Sequence, residues 1–501
     1  MNEQINNLYE LFTHRAAEMG DQPAFFSPEG EFSYAQFLGK VDAVAAGLAA
    51  NGVVKGDRVA TVALNSVIHF AALVACAKVG AVAFPANWRL SANELKESFG
   101  LIEPAVLIVE HQFIPLLADT DLSSIRVKAV WGEDAPEGFI LFADLLTGSY
   151  QKPESVSEDD PAVIIATAAV AGTPRGAVLS HHNLLSSGRM FGEVFQLSEA
   201  DRFLAVLPFF HIAGYQLLIV MAIAKGGSVI LPGFDPDAGV KLIDQHQVSL
   251  IATFPPMLEM LIAAREKNNS NWDGLKVCFG ILNPPEIIQQ FLALGKGDYW
   301  TGYGQAETTG IATLINVLEK PGSAGKVVTG LEMRIVDDLD EDTQIGQPGE
   351  ISVRGNLIFS GYWRDEEATS YASRNGWHHT GDLGKIDEQG YLYYVGRKPE
   401  KELIKSGGEN IYPAEVELAI KKLPEVAEVC VIGVPDAQWG ETVKAVVELL
   451  PGKNLETEAL LKGITKYLAT FKKPRLIEFV EKLPILESGK LNREEIKEIY
   501  G

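Results

Sequence analysis

Apolar residues follow two alternating patterns along the first 330 residues of the chain. Within residues 34–51 and again within residues 68–77 they recur every three or four positions, which predicts helices with one buried face. Short, continuous apolar runs separate such stretches and predict buried strands; they lie at residues 57–60, 81–85, 106–109, 163–165 and 228–231. This alternation is typical of α/β layers with mainly parallel strands.

The pattern changes after Gly330. Short strands at 333–336, 350–353 and 391–395, separated by glycine-rich turns, predict a small β subdomain that closes the large domain. The tail predicts a compact α+β module, with helices at 413–422 and 456–470 and strands at 426–433, 443–450 and 476–480. A polar segment that contains Pro399 separates the two bodies. The expected domains are residues 1–396 and 403–501, with residues 397–402 as the joint.

Composition excludes several classes of function. A chain of 501 residues that is 47% hydrophobic forms more than one domain, and its net charge of -23 argues against a nucleic-acid partner. The three cysteines show no CxxC spacing, so neither a disulfide framework nor a zinc site is expected. Residues 70–84 are too short and too interrupted to span a bilayer, and the N-terminus lacks a secretory signal. A cytoplasmic protein is expected, and both a monomer and a homo-oligomer are consistent with the sequence.

Several ordered motifs extend over nearly the whole chain. They are Tyr303-Gly304-Gln305-Ala306-Glu307, Thr380-Gly381-Asp382, Gly396-Arg397, Gly407-Gly408 with Ile411-Tyr412-Pro413-Ala414-Glu415, and Ser488-Gly489-Lys490. In this order they resemble the adenylate-forming, or AMP-binding, superfamily. Within it the chain is most similar to acyl-CoA synthetases of the fatty-acid or aromatic-acid CoA ligase branch.

A loop of small residues at 168–176 follows a predicted strand and precedes a helix predicted to start near His181. Such a loop lets backbone N–H groups approach phosphate oxygens, and a following helix adds its positive end. The resemblance implies that the loop binds the phosphates of ATP through Thr167, Gly172, Thr173 and Arg175. A plain turn is the alternative interpretation.

Alanines replace hydroxyl and glycine positions of this loop, and Ala306 stands where many relatives carry Thr or Ser. Each lost charge-assisted hydrogen bond is worth about 1.5 to 3 kcal/mol. The sequence therefore suggests the hypothesis that the enzyme binds ATP and pyrophosphate weakly and runs toward ATP formation.

The resemblance implies a role for each residue of the nucleotide site. Tyr303 stacks on adenine, with Gly304, Gln305 and Ala306 beside it, and Glu307 holds Mg²⁺. Asp382 accepts hydrogen bonds from the ribose hydroxyls, and Arg397 adds a second ribose or phosphate contact. The alternatives are a solvated Glu307 at a strand end, a turn-forming Asp382, and a salt bridge of Arg397 at the domain joint.

The resemblance also implies two arrangements of a mobile C-terminal domain. In the first, Lys490 enters the site and contacts both the substrate carboxylate and the α-phosphate. The domain then turns about Lys401 or Glu402, so that Ser406, Gly407 and Gly408 line a tunnel for the pantetheine arm of coenzyme A. A solvated lysine is the alternative for Lys490.

The acyl site involves a smaller set of residues. By resemblance His211 lines the acyl channel and gates the carboxylate site; a core histidine is the alternative. Gly302 is expected to leave room in the channel, whereas Ile281 and Leu282 stand where relatives carry small residues and narrow it. A medium-chain, alicyclic or aromatic acid fits both expectations.

Further residues are assigned more simply. His181 and His182 are expected to start a helix, and His378 and His379 to be solvated turn residues. A basic patch formed by Lys472, Lys473 and Arg475 suits either the phosphates of CoA or an acidic carrier protein.

The predicted function is an ATP-dependent acyl-CoA synthetase that uses ATP, Mg²⁺ and coenzyme A. It converts a small-molecule carboxylic acid to acyl-CoA through acyl-AMP, releasing AMP and pyrophosphate. Two alternatives stay open: an adenylating enzyme with a carrier-protein or amine acceptor, and a non-catalytic sensor of nucleotide or acyl-CoA.

Overall fold

The computed structural model describes residues 5–118, 120–146, 155–167, 175–220, 226–233, 235–398, 403–486 and 491–501. Within these residues, the chain before 398 forms three β-sheets with their helices, and the chain after 403 forms a separate sheet with its own helices. The predicted fold class is therefore confirmed: a large N-terminal α/β domain and a small α+β C-terminal domain.

The strands are numbered in chain order. They are β1 (Pro23–Ser27), β2 (Gly30–Ser33), β3 (Arg58–Val62), β4 (Val82–Pro85), β5 (Val106–Glu110), β6 (Val127–Trp131), β7 (Ile140–Leu141), β8 (Pro161–Thr167), β9 (Arg175–Ser180), β10 (Arg202–Leu204), β11 (Ser228–Ile230), β12 (Leu250–Thr253), β13 (Val277–Gly280), β14 (Asp298–Tyr303), β15 (Thr313–Asn316), β16 (Lys326–Val327), β17 (Leu331–Val336), β18 (Gly349–Gly355), β19 (Gly361–Tyr362), β20 (His378–Ile386), β21 (Leu392–Arg397), β22 (Ile404–Ser406), β23 (Glu409–Ile411), β24 (Val426–Asp436), β25 (Gly440–Leu449) and β26 (Leu476–Val480).

Helices cover the faces of the sheets. Among the described residues the α-helices are Leu8–Met19, Tyr34–Ala50, Val67–Val79, Ala92–Ile102, Phe142–Leu145, His181–Val194, Pro236–Gln245, Met257–Asn268, Pro285–Ala293, Glu366–Ala372, Pro413–Ile420, Thr457–Ile464 and Arg493–Tyr500. A π-helical segment spans Ala213–Val220.

The four sheets of the described residues differ in strand direction. The nine-stranded sheet has the order β16-β15-β14-β13-β12-β10-β11-β1-β2, and the eight-stranded sheet has the order β19-β9-β8-β4-β3-β5-β6-β7. Most pairs in both are parallel, as predicted. The subdomain sheet β17-β18-β20-β21 is antiparallel throughout. In the C-terminal sheet, β23-β22-β25-β24 are antiparallel and β26 joins β25 in parallel.

The apolar spacing in residues 34–51 correctly predicts the helix Tyr34–Ala50. Ser33 starts it, because its side chain accepts a hydrogen bond from the Gln36 N–H while the Gln36 side chain returns one to Ser33. The ring of Phe37 packs against the ring of Phe70 on the neighbouring helix, with 5.7 Å between the ring centroids. Burial of these rings fixes the helix on the sheet.

One predicted helix is too long. The helix predicted at 456–470 spans only Thr457–Ile464, because Gly463 and Thr465 weaken its end.

A strand, β9, lies between the small-residue loop and the helix His181–Val194, and it pairs antiparallel with β8. Six extended residues span about 20 Å, so the positive end of this helix is far from the loop. The prediction that the helix start assists this loop is therefore wrong.

Charged side chains hold the C-terminal domain against the N-terminal domain. Lys472 lies 2.7 Å from Glu94 of the N-terminal domain and 2.8 Å from Glu415 of its own domain. Arg89 reaches Glu409 across the same boundary at 2.6 Å. Lys472 is buried in these ion pairs, so the prediction that it joins Lys473 and Arg475 in a basic patch is wrong for Lys472.

The substitution Lys472→Met tests this contact. It leaves the carboxylates of Glu94 and Glu415 buried without their ammonium partner, a change that costs about 3 to 5 kcal/mol in buried ion pairs. We expect a lower melting temperature by calorimetry, with a smaller loss at pH 5 than at pH 8, because protonation removes the uncompensated charge. The control is Lys453→Met, which alters an exposed lysine of the same domain. Equal melting temperatures for the two variants would contradict the assignment.

Candidate active site

A cavity of about 330 Å³ lies where the two domains meet. Its walls include residues at or just after the carboxyl ends of β8, β12, β13 and β14, namely Thr167, Phe254, Ile281 and Gly304. In open parallel sheets ligands bind at this edge, because the connecting loops there are free to vary. The C-terminal domain closes the cavity with Lys405, Gly408, Glu409 and Tyr412, among others.

The small-residue loop borders this cavity at both of its described ends. Thr167 ends β8 and Arg175 begins β9, and both line the cavity. The Nε atom of Arg175 lies 3.1 Å from an Asp365 carboxylate oxygen, and its guanidinium lies over the ring of Tyr362. Gly172 and Thr173 lie outside the described residues. The Thr167 hydroxyl donates to the Arg175 carbonyl at 3.3 Å, so both residues border the cavity with internal contacts that hold the loop ends together.

Asp382 lies at the centre of a buried polar group. The Tyr303 hydroxyl donates to Asp382 Oδ2 at 2.7 Å. Arg397 Nε lies 2.9 Å from Asp382 Oδ1. The two groups form an ion pair, but their angle is not that of a hydrogen bond. The Tyr303 ring stacks against Tyr394 with 6.2 Å between ring centroids. Burial, with the nearby Asp382 charge, raises the pKa of Tyr303 well above its usual range.

Gln305 connects this group to the cavity. Its side-chain amide donates to the Tyr303 hydroxyl at 3.3 Å and to the Thr380 carbonyl at 3.5 Å. Gln305, Thr380 and Arg397 all line the cavity. The structure thus brings together residues that are far apart in the sequence, as the motifs predict.

Asp382 lies within β20 and not in a turn, because the pairing with β18 shifts register at a bulge around Gly381. A second buried carboxylate supports this bulge. Glu350 accepts a hydrogen bond from the Gly381 N–H at 2.9 Å and lies 3.1 Å from Lys398 Nζ. His379 lies 3.4 Å from the same carboxylate. Burial acts to raise the pKa of Glu350, but the contacts with His379 and Lys398 outweigh it and lower the pKa to about 2.

His378 and His379 are therefore not solvated turn residues, and that prediction is wrong. Both are buried within β20. His379 contacts Ser352 and Glu350 across the sheet, and the ring of His378 lies against Phe359. Polarity alone suggested exposure, because the long-range partners that make burial favourable are not visible in the local sequence.

Glu307 faces the cavity from a short 3₁₀ turn after β14. The Tyr362 hydroxyl donates to Glu307 Oε1 at 2.7 Å, and the residue is buried. Burial, followed by the Glu307 charge, raises the pKa of Tyr362. A single carboxylate beside a cavity fits Mg²⁺, which proteins usually hold through one or two carboxylates together with phosphate and water oxygens.

His211 meets the C-terminal domain at the opposite side of the cavity. Its Nε2 lies 3.1 Å from Glu409 Oε2, and Arg89 contacts the other Glu409 oxygen. Burial acts to raise the pKa of Glu409, but His211 and Arg89 lower it overall. His211 lines the cavity, so the alternative of a core histidine does not apply.

The glycine turn after β22 approaches both domains closely. Gly407 and Gly408 have φ angles of +58° and +81°, which favour glycine. A Cβ on Gly408 would lie 2.9 Å from the Phe254 side chain, and one on Gly407 would lie 2.6 Å from Trp439. Ser406 before them is buried. Gly408 reaches the cavity wall because it has no side chain.

Lys405 is a cavity residue that sequence reasoning missed. Its ammonium lies over the ring of Tyr394 at 5.6 Å, near Arg397 and Asp382. Burial, then repulsion by Arg397, lowers its pKa to about 8. One sequence feature could have indicated its position: Lys405 lies in a short strand, directly after the buried Ile404.

Ile281 and Leu282 line the cavity, as expected. Leu282 has a φ of +65° and remains 45% exposed, a costly conformation for a branched side chain. Gly302 does not line the cavity, and a Cβ there would lie 2.0 Å from the Thr313 carbonyl oxygen. Gly302 thus permits close strand packing, and the prediction that it opens the channel is wrong. Gly304 is the glycine of this segment that borders the cavity.

Some predicted residues lie outside the described part of the chain. They are Gly172 and Thr173 of the loop, Lys401 and Glu402 of the joint, and Lys490. None of the helices in the described residues is both long and apolar enough to cross a lipid bilayer.

Comparisons with known proteins agree with this architecture. The family model for AMP-binding enzyme matches residues 12–363, and that for AMP-binding enzyme C-terminal domain matches residues 415–490. An indoleacetate–CoA ligase from Aromatoleum aromaticum is 34% identical over 97% of both chains. A feruloyl-CoA synthase from Amycolatopsis sp is 34% identical over 94% of both chains.

A solved structure also shares the fold over both domains. It is a double mutant of o-succinylbenzoate CoA synthetase (MenE) from Bacillus subtilis, bound with its product analogue OSB-NCoA. Its TM-score is 0.87 at 26% identity, and the match covers 98% of each chain. The chain therefore belongs to the AMP-binding enzyme family, in its acyl-CoA synthetase branch, and is an AMP-forming acid–CoA ligase that uses ATP, Mg²⁺ and coenzyme A.

Proposed function

We propose that this enzyme forms the CoA thioester of a medium-sized hydrophobic acid, and that aromatic acids are preferred over medium-chain and alicyclic ones. The cavity wall supports this proposal, since Phe210, Ile212, Phe254 and Ile281 give it an apolar and partly aromatic surface. Two relatives at 34% identity are named for aromatic acids, indoleacetate and ferulate.

The nucleotide is proposed to bind between the end of β14 and the part of β20 that carries Asp382. Adenine lies against Tyr303, the ribose hydroxyls bond to Asp382, and Arg397 adds a donor to the ribose or phosphate. The observation that carries this proposal is that Tyr303 and Arg397, from different parts of the chain, both contact Asp382, and that Arg397 lines the cavity. Thr167 and Arg175 are proposed as the described phosphate contacts of the loop.

Glu307 is proposed as the protein ligand of Mg²⁺. Bound there, the ion would neutralise phosphate charge during transfer. Tyr362 holds one carboxylate oxygen of Glu307 and so orients the other toward the cavity.

The proposed chemistry has two steps. In the first, an oxygen of the substrate carboxylate attacks the α-phosphorus of ATP, and the bond from that phosphorus to pyrophosphate breaks to give acyl-AMP. In the second, the sulfur of coenzyme A attacks the acyl carbon, the bond to AMP breaks, and the thiol proton passes to water. Lys490 is proposed to stabilise the first transition state by contacting both anions.

The contacts between the two domains support the assignment of this arrangement to the second step, in which the thioester forms. Gly407 and Gly408 lie against Trp439 and Phe254 beside the cavity, where they are proposed to border the pantetheine tunnel. His211 is proposed to gate the carboxylate site, and Glu409 holds it in this arrangement. Residues 403–501 are proposed to turn about the joint at 397–402 after the first step. This motion withdraws Lys490 from the site and brings Gly408 to the cavity.

Lys490→Ala tests the two-step assignment. We expect it to reduce acyl-AMP formation by at least about a hundredfold, because a charge that acts in the transition state is lost. Thioester formation from supplied acyl-AMP and coenzyme A should remain within about threefold of the parent enzyme, since Lys490 is absent from that step.

Product analysis measures AMP, pyrophosphate and thioester with a panel of C2 to C10, benzoic, cyclohexane, indoleacetic and ferulic acids. The matched control is Lys482→Ala, an exposed lysine of the same C-terminal segment. Parallel loss of both half-reactions in Lys490→Ala would refute the two arrangements. An amide or carrier-bound product would favour an amine or carrier protein as the acceptor. Binding of nucleotide or acyl-CoA without turnover would favour a non-catalytic sensor.

Leu282 provides a test of the acyl wall. Leu282→Gly and Leu282→Ala both remove the side chain from the cavity, so both should raise the KM for an aromatic acid by several-fold. Only glycine tolerates φ +65° without a Cβ clash, so Leu282→Gly should be more stable than Leu282→Ala by about 1 kcal/mol. Kinetics with varied acid and thermal unfolding measure the two effects. An unchanged KM for every acid in both variants would remove Leu282 from the acyl wall.

A further inference from the structure

Glu350 is a buried carboxylate that reaches the candidate active site only through other residues. It lies near the start of β18, is 4% exposed, and is not among the residues that line the cavity. Burying an ionised carboxylate is costly unless several groups pair with it. Its partners therefore indicate what the buried charge does.

One oxygen of Glu350 holds the bulge of β20 that precedes Asp382. Its Oε1 accepts the Gly381 N–H at 2.9 Å, and Gly381 has a φ of +71°. The peptide unit of Gly381 leads directly into Asp382, so its orientation sets the direction of the Asp382 side chain. The Thr380 hydroxyl also fixes the bulge, by donating to the Ile351 carbonyl at 2.8 Å.

The other oxygen of Glu350 faces three cationic or titratable groups. Oε2 lies 3.1 Å from Lys398 Nζ, 3.1 Å from Arg374 and 3.4 Å from His379 Nδ1. Lys398 stands out among them, because its backbone N–H also donates to the Gly381 carbonyl at 3.0 Å. Both ends of the Gly381 residue are thus tied, one to Glu350 and the other to Lys398.

Lys398 links this bulge to the beginning of the domain joint. It directly follows Arg397, the ion-pair partner of Asp382. The ammonium of Lys398 additionally contacts Asp338 at 3.3 Å, which fixes its side chain against the subdomain. Arg374 contacts the same Glu350 oxygen, but the described contacts tie it neither to the bulge nor to the joint.

We propose that Glu350 is a positioning residue for nucleotide binding, which fixes the direction of the Asp382 side chain through Gly381 and couples this bulge of β20 to the joint through Lys398. The inference rests on the proposed role of Asp382 in holding the ribose. It assigns Glu350 no contact with substrate, and it gives Lys398 a function that Arg374 lacks.

Three variants test this positioning role in the adenylation assay with varied ATP. Glu350→Gln should raise the KM for ATP by about tenfold, with kcat changed by less than about threefold, because a misdirected Asp382 weakens binding of ground state and transition state alike. Lys398→Met keeps the backbone bond to Gly381 but removes the ammonium that joins Glu350 to the residue after Arg397, and it should raise the KM for ATP by several-fold. Arg374→Met removes a cation from the same Glu350 oxygen and should leave that KM within about twofold. The KM for the acid should stay constant in all three.

A purely structural role gives a different result. Glu350→Gln would then lower the melting temperature and the active fraction while leaving the KM for ATP unchanged, and this outcome would overturn the inference. Equal effects of Lys398→Met and Arg374→Met would also overturn it, since general charge compensation would explain both. If Glu350→Gln does not fold, Glu350→Asp and the pair Lys398→Met and Arg374→Met carry the test.

Asp382→Asn, measured in the same assay, separates this inference from the proposed function. If Asp382→Asn leaves the KM for ATP unchanged, the ribose assignment fails, and the inference fails with it. If Asp382→Asn raises that KM and neither Glu350→Gln nor Lys398→Met does, only the positioning role of Glu350 fails. AMP-dependent thermal stabilisation of each variant provides a binding readout without turnover.

Discussion

The Asp382 carboxylate is the charge on which the arrangement of the cavity depends. It is buried, and its partners come from separate parts of the fold: Tyr303 from the carboxyl end of β14 in the nine-stranded sheet, and Arg397 from β21, the strand that leads to the joint. Burying a carboxylate is costly unless such partners are fixed around it. The packing of two sheets and the start of the joint therefore meet at one carboxylate, and a shift of either sheet disturbs the same contact.

Much of this arrangement follows from sequence pattern, and the exceptions share a cause. Apolar periodicity predicts the helix Tyr34–Ala50 and the parallel sheets because burial of a repeating face is a local property. The motif after Tyr303 reaches the cavity from the end of β14, and the motif with Asp382 reaches it through Thr380 at a bulge of β20. His379 was predicted to be solvated and Lys405 was not predicted at all, because each is stabilised by groups more than ten residues away along the chain.

The wrong assignments at the acyl end have a geometric origin. Gly302 and Gly304 are two residues apart at the end of one strand, and only the second borders the cavity. At Gly302 the missing Cβ permits close approach of the Thr313 carbonyl, a constraint of strand packing that no composition reveals. Leu282 shows the opposite case, in which a branched side chain occupies a backbone conformation that glycine would adopt at little cost. The space around the Cβ position at Gly302 and the φ angle at Leu282 are both set by the fold, and neither is visible in the local sequence.

The contact of Lys472 with two carboxylates couples the domain arrangement to the uptake and release of a proton. One ammonium faces Glu94 and Glu415, so the three groups together carry an excess negative charge when all are ionised. Burial raises the pKa of Glu415 above its value in water, and hydration would return it toward that value. Any separation of the domains that exposes Glu415 therefore releases a fraction of a proton. By linkage, alkaline conditions favour the separated arrangement and acidic conditions favour the closed one.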